Sequence, residues 1–440
     1  MDIKELAGIL QQYGIVGAGG AGFPTYAKLD QRARTIILNC AECEPLLRLH
    51  RQLLEQYAPE IVETFRMIGQ TVGAGEIVIG IKRAYKKTIA ALEEVVDQYP
   101  EVRIGLMDEN YPAGDEVVLI YELTGKVVRP GGLPIESGVA VFNVETVYNV
   151  YKALHDQQPV VDKLVSVVAE VNHPVTVRVP IGTTLDEVVQ LAGGVTTKNP
   201  VYFVGGPMMG FIGKGSQPVT KTTNAILVLP EDHLLVQKKL RKKSIDLKRA
   251  AACCCQCTMC TDICPRHLLG HPIEPHKFML AATCKDVQNP DIFINTMFCC
   301  GCGVCELYSC FQNLSPRSLM EEYKQGLAAH GIKRPQAEAT VAEPSREYRK
   351  VPMDRLMARI DLVKYNKEAP MDESPISVKK VKIMTSQHIG APAVVNVKKG
   401  DTVAKGQMIA GPANGLSVGI HASIGGKVTA VDDKYVIIEA

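Results

Sequence analysis

The cysteine distribution constrains this 440-residue chain more than any other feature of its sequence. All but two of the 14 cysteines lie between Cys253 and Cys310, and the two outside are Cys40 and Cys43. A secreted disulfide framework spreads its cysteines over a small chain with an export signal, whereas dense CxxC spacing in a cytoplasmic protein indicates metal binding. Residues 1–14 have the pattern of a polar-faced helix rather than of a signal peptide. We therefore expect a cytoplasmic protein with a metal centre built from these cysteines.

Composition and charge argue against several other classes of protein. The chain is 46% hydrophobic and 22% charged, which is ordinary for a globular protein and not for a disordered one. Lys and Arg total 49 and Asp and Glu total 47, so the net charge of +2 gives no electrostatic footprint for nucleic acid. The sequence has no apolar run of the roughly 18 residues that a membrane span needs. We therefore expect neither a nucleic-acid partner nor a transmembrane segment.

Two cysteine runs have the spacing of ferredoxin-type ligands. The first run, C-x2-C-x2-C-x3-C followed by Pro265, comprises Cys254, Cys257, Cys260 and Cys264. The second run comprises Cys299, Cys302, Cys305 and Cys310, with a final gap of four residues and Phe311 in place of proline. In dicluster modules the fourth cysteine of each run binds the other cluster. We therefore assign one [4Fe–4S] cluster to Cys254, Cys257, Cys260 and Cys310, and the other to Cys299, Cys302, Cys305 and Cys264.

Structural zinc and unligated thiols are the alternatives to iron–sulfur clusters. A zinc site usually takes four ligands from two CxxC halves that are a dozen or more residues apart, and a triplet with period three does not fit that layout. The spacing of the cysteines therefore favours iron–sulfur clusters over structural zinc. Four further cysteines are surplus to two clusters, and we expect them to be free thiols: Cys253, Cys255, Cys284 and Cys300.

The hydrophobic patterns divide the chain into five parts. Strand and helix patterns alternate over residues 1–155, which predicts an α/β domain with a mostly parallel sheet. Residues 156–230 contain two short strands, a helix and another strand, as in a small β-grasp module. The cysteine runs lie in residues 231–332. Residues 333–375 are rich in Pro, Lys and Glu and contain one amphipathic segment, which predicts a linker with a docking helix.

Residues 376–440 are short β-type runs separated by glycines, and they resemble a barrel-sandwich hybrid of the biotinyl or lipoyl type. A carrier domain of that type presents a lysine at its hairpin tip. The corresponding stretch here, NGLSVGIHAS, contains no lysine. We therefore expect this domain to have a structural or docking role rather than to carry a swinging arm.

A glycine-rich segment, GIVGAGGAGFPT, occupies residues 14–25. Glycines let backbone approach a flat or phosphorylated ligand closely, but the dinucleotide motif G-x-G-x-x-G should follow a strand, and this segment follows a helix. The specific signal comes from four segments together: GAGGAGFPTYAK, NCAECEP, YPAGDE and FNVET. They resemble the flavin-binding core shared by the NADH-oxidising subunit of respiratory complex I, the C subunit of Rnf complexes and the cobalamin reductase of propanediol utilisation.

The resemblance extends over essentially the whole chain. The order of the domains distinguishes between the related families. Rnf C subunits carry the barrel-sandwich hybrid ahead of the flavin core, whereas here it follows, as in the cobalamin reductases. The resemblance therefore implies the cobalamin reductase branch. It implies an α/β, multidomain fold with an α/β flavin core, a small β-grasp (SLBB-like) module, a helical dicluster ferredoxin-like module and a C-terminal all-β barrel-sandwich hybrid.

The same resemblance implies a set of cofactor-binding residues. Gly17, Gly19 and Gly20 would face FMN, Lys28 would reach its phosphate or isoalloxazine edge, and Phe23 would stack on the nicotinamide nucleotide. The remaining positions that match the family's flavin and nucleotide pocket are Asn39, Glu42, Glu44, Tyr111, Gly114, Asp115, Glu116, Asn143 and Thr146. An alternative for one of these segments is a redox CxxC formed by Cys40 and Cys43.

The leading functional hypothesis is an NADH-dependent, cobalamin reductase-like oxidoreductase. It would pass electrons from NADH through FMN and two [4Fe–4S] clusters to a one-electron acceptor, most simply a corrinoid, so that the cofactors carry the chemistry and the protein supplies position and potential. The implied partners are a corrinoid adenosyltransferase or other reductase and electron-transfer subunits, and the location is cytoplasmic or inside a bacterial microcompartment. The alternatives are an Rnf C-like relay protein that feeds a ferredoxin, quinone or amino-acid reductase, and a structural or metal-storage protein.

Overall fold

The computed structural model describes residues 1–285 and 287–440. Its first part is an α/β domain built on a four-stranded sheet. In chain order the elements are α1 (Ile3–Gln12), β1 (Thr35–Cys40), α2 (Leu49–Val72), β2 (Glu76–Lys82), α3 (Lys86–Val96), β3 (Val102–Met107), β4 (Asn110–Tyr111), α4 (Glu116–Thr124), β5 (Val139–Asn143) and α5 (Val144–His155).

The sheet has the strand order β3-β2-β1-β5 and all its pairs are parallel. The apolar run of β1 is buried on both faces, as expected for a parallel strand covered by helices on each side. Ile36 and Leu38 pack in the core that α2 and α5 share, while Ile37 packs in the smaller core below α4. The carboxyl ends of β1 and β5 therefore lie side by side at one edge, which is where ligands bind in sheets of this kind.

The second part is a mixed β-sheet with one helix. Its elements are β6 (Asp162–Ala169), β7 (Val175–Pro180), α6 (Leu185–Leu191), β8 (Pro200–Val204), β9 (Phe211–Gly213) and β10 (Ala225–Pro230). Thr184 caps α6 in a reciprocal capping box with Glu187, which fixes where the helix starts. The sheet order is β12-β7-β6-β10-β8-β9, and the outermost strand β12 (Met371–Asp372) comes from much later in the chain.

The cysteine-rich part is a set of short helices around its own small core. The elements are α7 (Leu234–Leu240), α8 (Lys243–Cys253), α9 (Met259–Asp262), α10 (Pro275–Cys284), α11 (Asp291–Ile294), a π-helical turn (Val304–Ser309) and α12 (Pro316–Ala329). The rings of Phe278, Phe293 and Tyr323 pack against one another between α10, α11 and α12. The aromatic contacts hold the helices that carry the two ligand loops.

Residues 344–372 tie the first two parts to the cysteine-rich part. β11 (Val351–Pro352) pairs antiparallel with β4, and β12 pairs parallel with β7. Between them, α13 (Met353–Arg359) begins an amphipathic segment that buries Leu356, Ile360 and Leu362 completely. The amphipathic segment that the sequence predicts as a docking helix thus docks on this chain itself.

The C-terminal part consists of two small antiparallel sheets. Its strands are β13 (Lys380–Met384), β14 (Val394–Val395), β15 (Thr402–Val403), β16 (Met408–Gly411), β17 (Ile420–His421), β18 (Gly426–Asp432) and β19 (Tyr435–Glu439), in the orders β13-β19-β18-β15 and β14-β16-β17. The tip that lacks a lysine packs on the first domain. The Gly419 N–H donates to Gln11 O at 2.9 Å, and Gln11 Nε2 donates to Ser417 O at 3.2 Å.

Within residues 1–285 and 287–440, none of the helices combines the length and the apolar character that crossing a membrane requires.

Candidate functional site

A cleft of about 420 Å³ opens at the carboxyl ends of β1 and β5. Its volume lies in the range of small-molecule and cofactor sites. Most of the predicted cofactor-binding residues line it: Gly17, Gly19, Gly20, Phe23, Lys28, Asn39, Glu42, Gly114, Glu116, Asn143 and Thr146. Segments that lie far apart in the sequence therefore meet around one cavity.

The glycine segment forms one wall and is fixed to the start of α5. The Ala18 N–H donates to Thr146 Oγ1 at 2.9 Å, and that hydroxyl in turn donates to Val16 O at 3.3 Å. The Gly17 N–H donates to Phe23 O at 2.9 Å and closes the loop. Gly20 has a φ of 64°, a conformation that favours glycine, and no atom lies within 4 Å of where its Cβ would be. A flat ligand can therefore approach this backbone directly.

Gly114 forms the opposite wall, where two loops come too close for a side chain. A Cβ at this position would lie 2.3 Å from Ala41 O and 2.9 Å from Cys43 Sγ. The Gly114 N–H donates to Cys43 Sγ at 2.6 Å, and Asn39 Nδ2 donates to Gly114 O at 2.9 Å. The glycine is therefore required by packing as well as by its place on the cleft.

Lys28 supplies a positive charge inside the cleft. Its Nζ lies 3.2 Å from Glu116 Oε1 and donates to Val141 O at 2.8 Å, in the middle of β5. The ammonium group also lies 5.9 Å from the centre of the Phe23 ring, which stands 37% exposed at the rim. An ammonium group so placed can bind an anionic group such as a phosphate.

Glu42 lies on the cleft wall, but its carboxylate is already bonded within the chain. It accepts hydrogen bonds from the His50 N–H at 2.8 Å and from Arg51 Nε at 3.3 Å. Both donors belong to the first turn of α2, where a carboxylate is favoured by the helix dipole. His50 Nε2 in turn lies 3.0 Å from Asn143 Nδ2. Glu42 thus orders one side of the cleft.

Three predicted residues lie outside the cleft and join the first domain to its neighbours. Tyr111 donates its buried hydroxyl to Cys302 O at 2.6 Å. Asp115 caps α4 and binds Arg266 Nη2 at 2.9 Å, two residues after Cys264. The loop that carries Gly114 on the cleft wall is therefore bonded directly to the cysteine-rich part.

Glu44 is the third of these residues and reaches the second domain. Its carboxylate accepts the Met208 N–H at 2.8 Å and the Met209 N–H at 3.0 Å, and a Cβ on Gly206 would lie 2.1 Å from it. Burial raises the pKa of Glu44 to about 7, although the two N–H donors oppose that change. Of the two methionines whose N–H groups bind Glu44, Met208 is fully buried and Met209 is 55% exposed.

The first three cysteines of the first run line a small cavity together with the last cysteine of the second run. The cavity is lined by Cys254, Cys257, Cys260 and Cys310 among other residues, including the surplus Cys255. Burial raises the pKa of Cys260 to about 12, and the neighbouring thiolates of Cys254, Cys257 and Cys310 act in the same direction. Cys310 therefore groups with the first run rather than with its own.

Cys264, the last cysteine of the first run, has cysteines of the second run as its neighbours. Burial raises the pKa of Cys264 to about 12, and the nearby Cys300 and Cys299 act in the same direction. Burial also raises the pKa of Cys305, and the charges of Cys299, Cys264, Glu306 and Cys260 act in the same direction. The pKa of Cys302 is raised first by its contact with Cys300 and then by burial and by the charges of Cys264 and Cys305. The fourth cysteine of the first run thus lies among the second.

Cys254, Cys257, Cys260 and Cys310 line one cavity, and cysteine thiolates are the ligands that iron–sulfur clusters take. In residues 1–285 and 287–440, no group of three or more His, Cys, Asp or Glu side chains has the arrangement for a single metal ion. Positive groups surround the loop of the second set: Lys324 Nζ donates to Cys299 O at 3.0 Å and Arg317 Nη1 to Gly301 O at 3.3 Å.

The alternative of a redox CxxC finds no support in the surroundings of its two thiols. Cys40 is fully buried in the main core, and burial raises its pKa well above the ordinary value. Burial raises the pKa of Cys43 to about 12. Reactive CxxC thiols have lowered pKa values, so this environment disfavours such chemistry.

Three of the surplus cysteines, Cys253, Cys255 and Cys284, are exposed free thiols.

Sequence reasoning missed several residues of the cleft. Thr25, Ala41 and Cys43 lie inside the segments that carry the resemblance, and His50 lies five residues after the second of them. Asn224 is different, because it comes from the second domain and no local pattern marks it. Its place on the cleft depends only on how the two domains pack.

Four family models match successive parts of the chain. The Nuo51 FMN-binding domain matches residues 10–152 and the SLBB domain matches residues 164–212. The 4Fe-4S dicluster domain matches residues 253–315 and the RnfC barrel sandwich hybrid domain matches residues 362–440. These matches confirm the predicted multidomain fold class and the predicted FMN and [4Fe–4S] cofactors.

A solved structure shows a similar fold. The crystal structure of NAD+-reducing [NiFe]-hydrogenase in the H2-reduced state superposes with a TM-score of 0.50 at 21% identity, over 76% of this chain and 62% of that chain. A likeness at this identity concerns the fold alone.

Similar proteins identify the family of this chain. The C subunit of the ion-translocating oxidoreductase complex of Edwardsiella ictaluri is 34% identical over 59% of this chain and 32% of its own length. The Cobalamin reductase PduS of Salmonella typhimurium is 40% identical over 100% of this chain and 97% of its own length. The chain therefore belongs to the cobalamin reductase PduS family, as the order of its domains predicts.

Proposed function

We propose that this protein is an NADH-dependent cobalamin reductase that passes electrons from a flavin through two [4Fe–4S] clusters to a corrinoid. The observation that carries the proposal is the direct contact between the cleft and the cysteine-rich part within one chain. Tyr111, three residues before Gly114 on the cleft wall, binds the main chain of Cys302. The membership of the chain in the PduS family supports the corrinoid as the acceptor.

FMN would be held by the glycine segment, Lys28, Asn39, Gly114, Asn143 and Thr146. When bound, it supplies the exchange between two-electron and one-electron transfer, and each [4Fe–4S] cluster carries one electron. The glycine backbone and Lys28 would bind the anionic and flat parts of the cofactor, and Phe23 at the rim would cover the nicotinamide. Glu44 and Asp115 would hold the domains together rather than contact the nucleotide.

We assign the cysteines to two sets on the basis of their neighbours. The set of Cys254, Cys257, Cys260 and Cys310 would hold one cluster, and the set of Cys264, Cys299, Cys302 and Cys305 would hold the other. The second set lies beside Tyr111, and Cys260 is among the charged neighbours of Cys305. The sets are therefore arranged in series from the cleft.

The exit for electrons lies at the first set. Cys257 is exposed, and the walls of its cavity include Met259 and Phe311, which are 42% and 55% exposed. Electron transfer falls off with distance, so an acceptor that docks on this face would approach nearest to the first set. We propose that a corrinoid, free or bound to a partner adenosyltransferase inside a bacterial microcompartment, is reduced here.

The decisive experiment is anaerobic reconstitution of the full chain with iron, sulfide and FMN, followed by addition of NADH and cob(III)alamin. The visible spectrum should show cob(II)alamin formation that depends on both NADH and flavin. Bleaching of the flavin without formation of cob(II)alamin would contradict the proposed acceptor. No bleaching by NADH would contradict the proposed donor.

A relay protein within a larger complex is the second candidate, and the matches to Rnf C subunits and to their barrel sandwich hybrid domain favour it. In that case the isolated chain would reduce cobalamin negligibly and would co-purify with subunits that reduce a ferredoxin, quinone or amino acid. Cobalamin reduction by the purified chain alone would exclude this alternative.

A further inference from the structure

The second domain reaches into the cleft through a single amide side chain. Asn224 lies just before β10 and lines the cleft together with the glycine segment and Asn143. A Cβ on Gly19 would lie 2.9 Å from Asn224 Nδ2 and 4.0 Å from Asn143 Nδ2. Two amides from different domains therefore lie close to the same glycine.

The backbone that carries Asn224 is fixed in place. Lys221, which is buried, donates from Nζ to Gly14 O at 2.6 Å and to Gly419 O at 3.0 Å. The Lys221 N–H donates to Gln387 Oε1 at 2.9 Å. The segment that carries Lys221 and Asn224 is thus bonded both to the first domain and to the C-terminal part. Its contact in the first domain, Gly14, lies three residues before Gly17 of the cleft wall.

The Asn224 side chain carries an unsatisfied polar atom. Its main-chain carbonyl accepts the Ser166 N–H at 2.9 Å, so the backbone is paired. Its Oδ1, however, is buried and has no hydrogen-bond partner in the part of the chain that the structure describes, residues 1–285 and 287–440. Buried polar atoms are nearly always paired in folded proteins, so this carboxamide, on a residue that lines the cleft, keeps hydrogen-bonding capacity that the chain leaves unused.

We propose that Asn224 is a flavin-binding residue contributed by the second domain. Its carboxamide both donates and accepts, which suits the hydroxyl and imide groups of a flavin. The inference rests on the proposed function, because it takes FMN as the ligand of the cleft. It makes the second domain part of the cofactor site rather than an accessory module, and it explains why Lys221 and its neighbours are fixed so firmly against the glycine segment.

The test compares Asn224→Ala with Asn199→Ala in the full reconstituted chain. Asn199 is an exposed asparagine of the same domain whose Nδ2 lies 3.4 Å from Glu231 Oε2. Quenching of FMN fluorescence measures affinity for the flavin-free protein. N224A should weaken FMN binding about tenfold, as expected for the loss of the hydrogen bonds of one amide, and N199A should bind as the wild type does.

A second readout separates contact with the flavin from an indirect effect on the fold. At saturating FMN, direct loss of a hydrogen bond should shift the visible spectrum and the midpoint potential of the bound flavin, while iron content stays that of the wild type. If N224A does not fold, Asn224→Asp, which has nearly the same shape but lacks the donor, should weaken binding and shift the spectrum instead.

Wild-type affinity in N224A, or weaker binding with an unchanged spectrum and potential, would overturn the inference and leave the proposed function standing. Failure of the wild-type chain to bind FMN at all would overturn both.

Discussion

Replacement of Gly114 by alanine tests the wall of the cleft most sharply. Gly114 does not have a positive φ, so alanine can adopt its backbone conformation without strain. The effect of the substitution therefore comes only from the room that the added methyl group needs. The new Cβ would lie 2.3 Å from Ala41 O and 2.9 Å from Cys43 Sγ, whereas ordinary contacts begin at 3.4 Å. The two loops must therefore separate by about 1 Å at the point where they form the cleft.

The magnitude follows from the cost of overpacking, which is about 1–3 kcal/mol for an added methyl in a tightly packed site. If the chain relieves the strain by moving the wall that carries the Asn39–Gly114 hydrogen bond, FMN binding loses about the same free energy. At 1.4 kcal/mol for each factor of ten, affinity should fall about 5- to 150-fold. Fluorescence titration of the flavin-free protein with FMN measures this directly.

Gly326 provides the matched control. It lies within α12, and no atom stands within 4 Å of where its Cβ would be. Alanine is favoured over glycine inside a helix by about 0.5–1 kcal/mol, so Gly326→Ala should stabilise the protein slightly and leave FMN affinity unchanged. Equal FMN affinity in G114A and G326A would refute the reasoning, because the wall at Gly114 would then play no part in binding.

Three further predictions address the contacts between the parts. Because its pKa is raised, Glu44 contributes fully to the free energy of unfolding below pH 4.5, and this contribution is lost as the pH rises through about 7. The loss amounts to at most about 3 kcal/mol, and solvent screening of this partly buried group makes it smaller. In Glu44→Gln, denaturation at pH 5 and pH 8 should no longer show this loss of stability, and parallel pH profiles of wild type and variant would contradict the prediction. Tyr111→Phe leaves the Cys302 carbonyl unpaired and should lower the free energy of unfolding by about 1–3 kcal/mol. It should also slow reduction of the clusters after the flavin is bleached, as measured by stopped-flow absorbance. Wild-type stability together with wild-type rates would contradict a role for this contact. Cys257→Ser should reduce iron by about one cluster, whereas the exposed Cys284→Ser should keep full iron; equal loss in both would refute the assignment.

Local spacing predicts much of the site because the chemistry itself is local. Three cysteines at period three must come from one tight loop, so the runs could be read from the sequence, and in the structure Cys310 lines the same cavity as the first three cysteines of the other run. The buried strand at 35–40 was equally readable, since a continuous apolar run between turn signals is typical of a parallel strand.

The contacts between domains could not be read in the same way. The hydroxyl of Tyr111, the carboxylate of Asp115 and that of Glu44 were expected at the flavin pocket, but they bind Cys302, Arg266 and the 208–209 turn. Their partners lie more than 100 residues away, and no periodicity marks such pairs. The two-residue strands β11 and β12 are also too short to leave a pattern, because their pairing depends on the sheets that they join.

The central claim is that one chain conducts electrons from the cleft to the cysteine-rich part. The most direct measurement is an anaerobic NADH titration of the reconstituted protein, followed by visible absorbance for the flavin and by electron paramagnetic resonance for the clusters. We expect one FMN and about eight irons per chain, and reduction of both kinds of cofactor by NADH alone. A flavin that bleaches while the clusters stay oxidised, or a preparation that binds zinc in place of iron, would contradict the account.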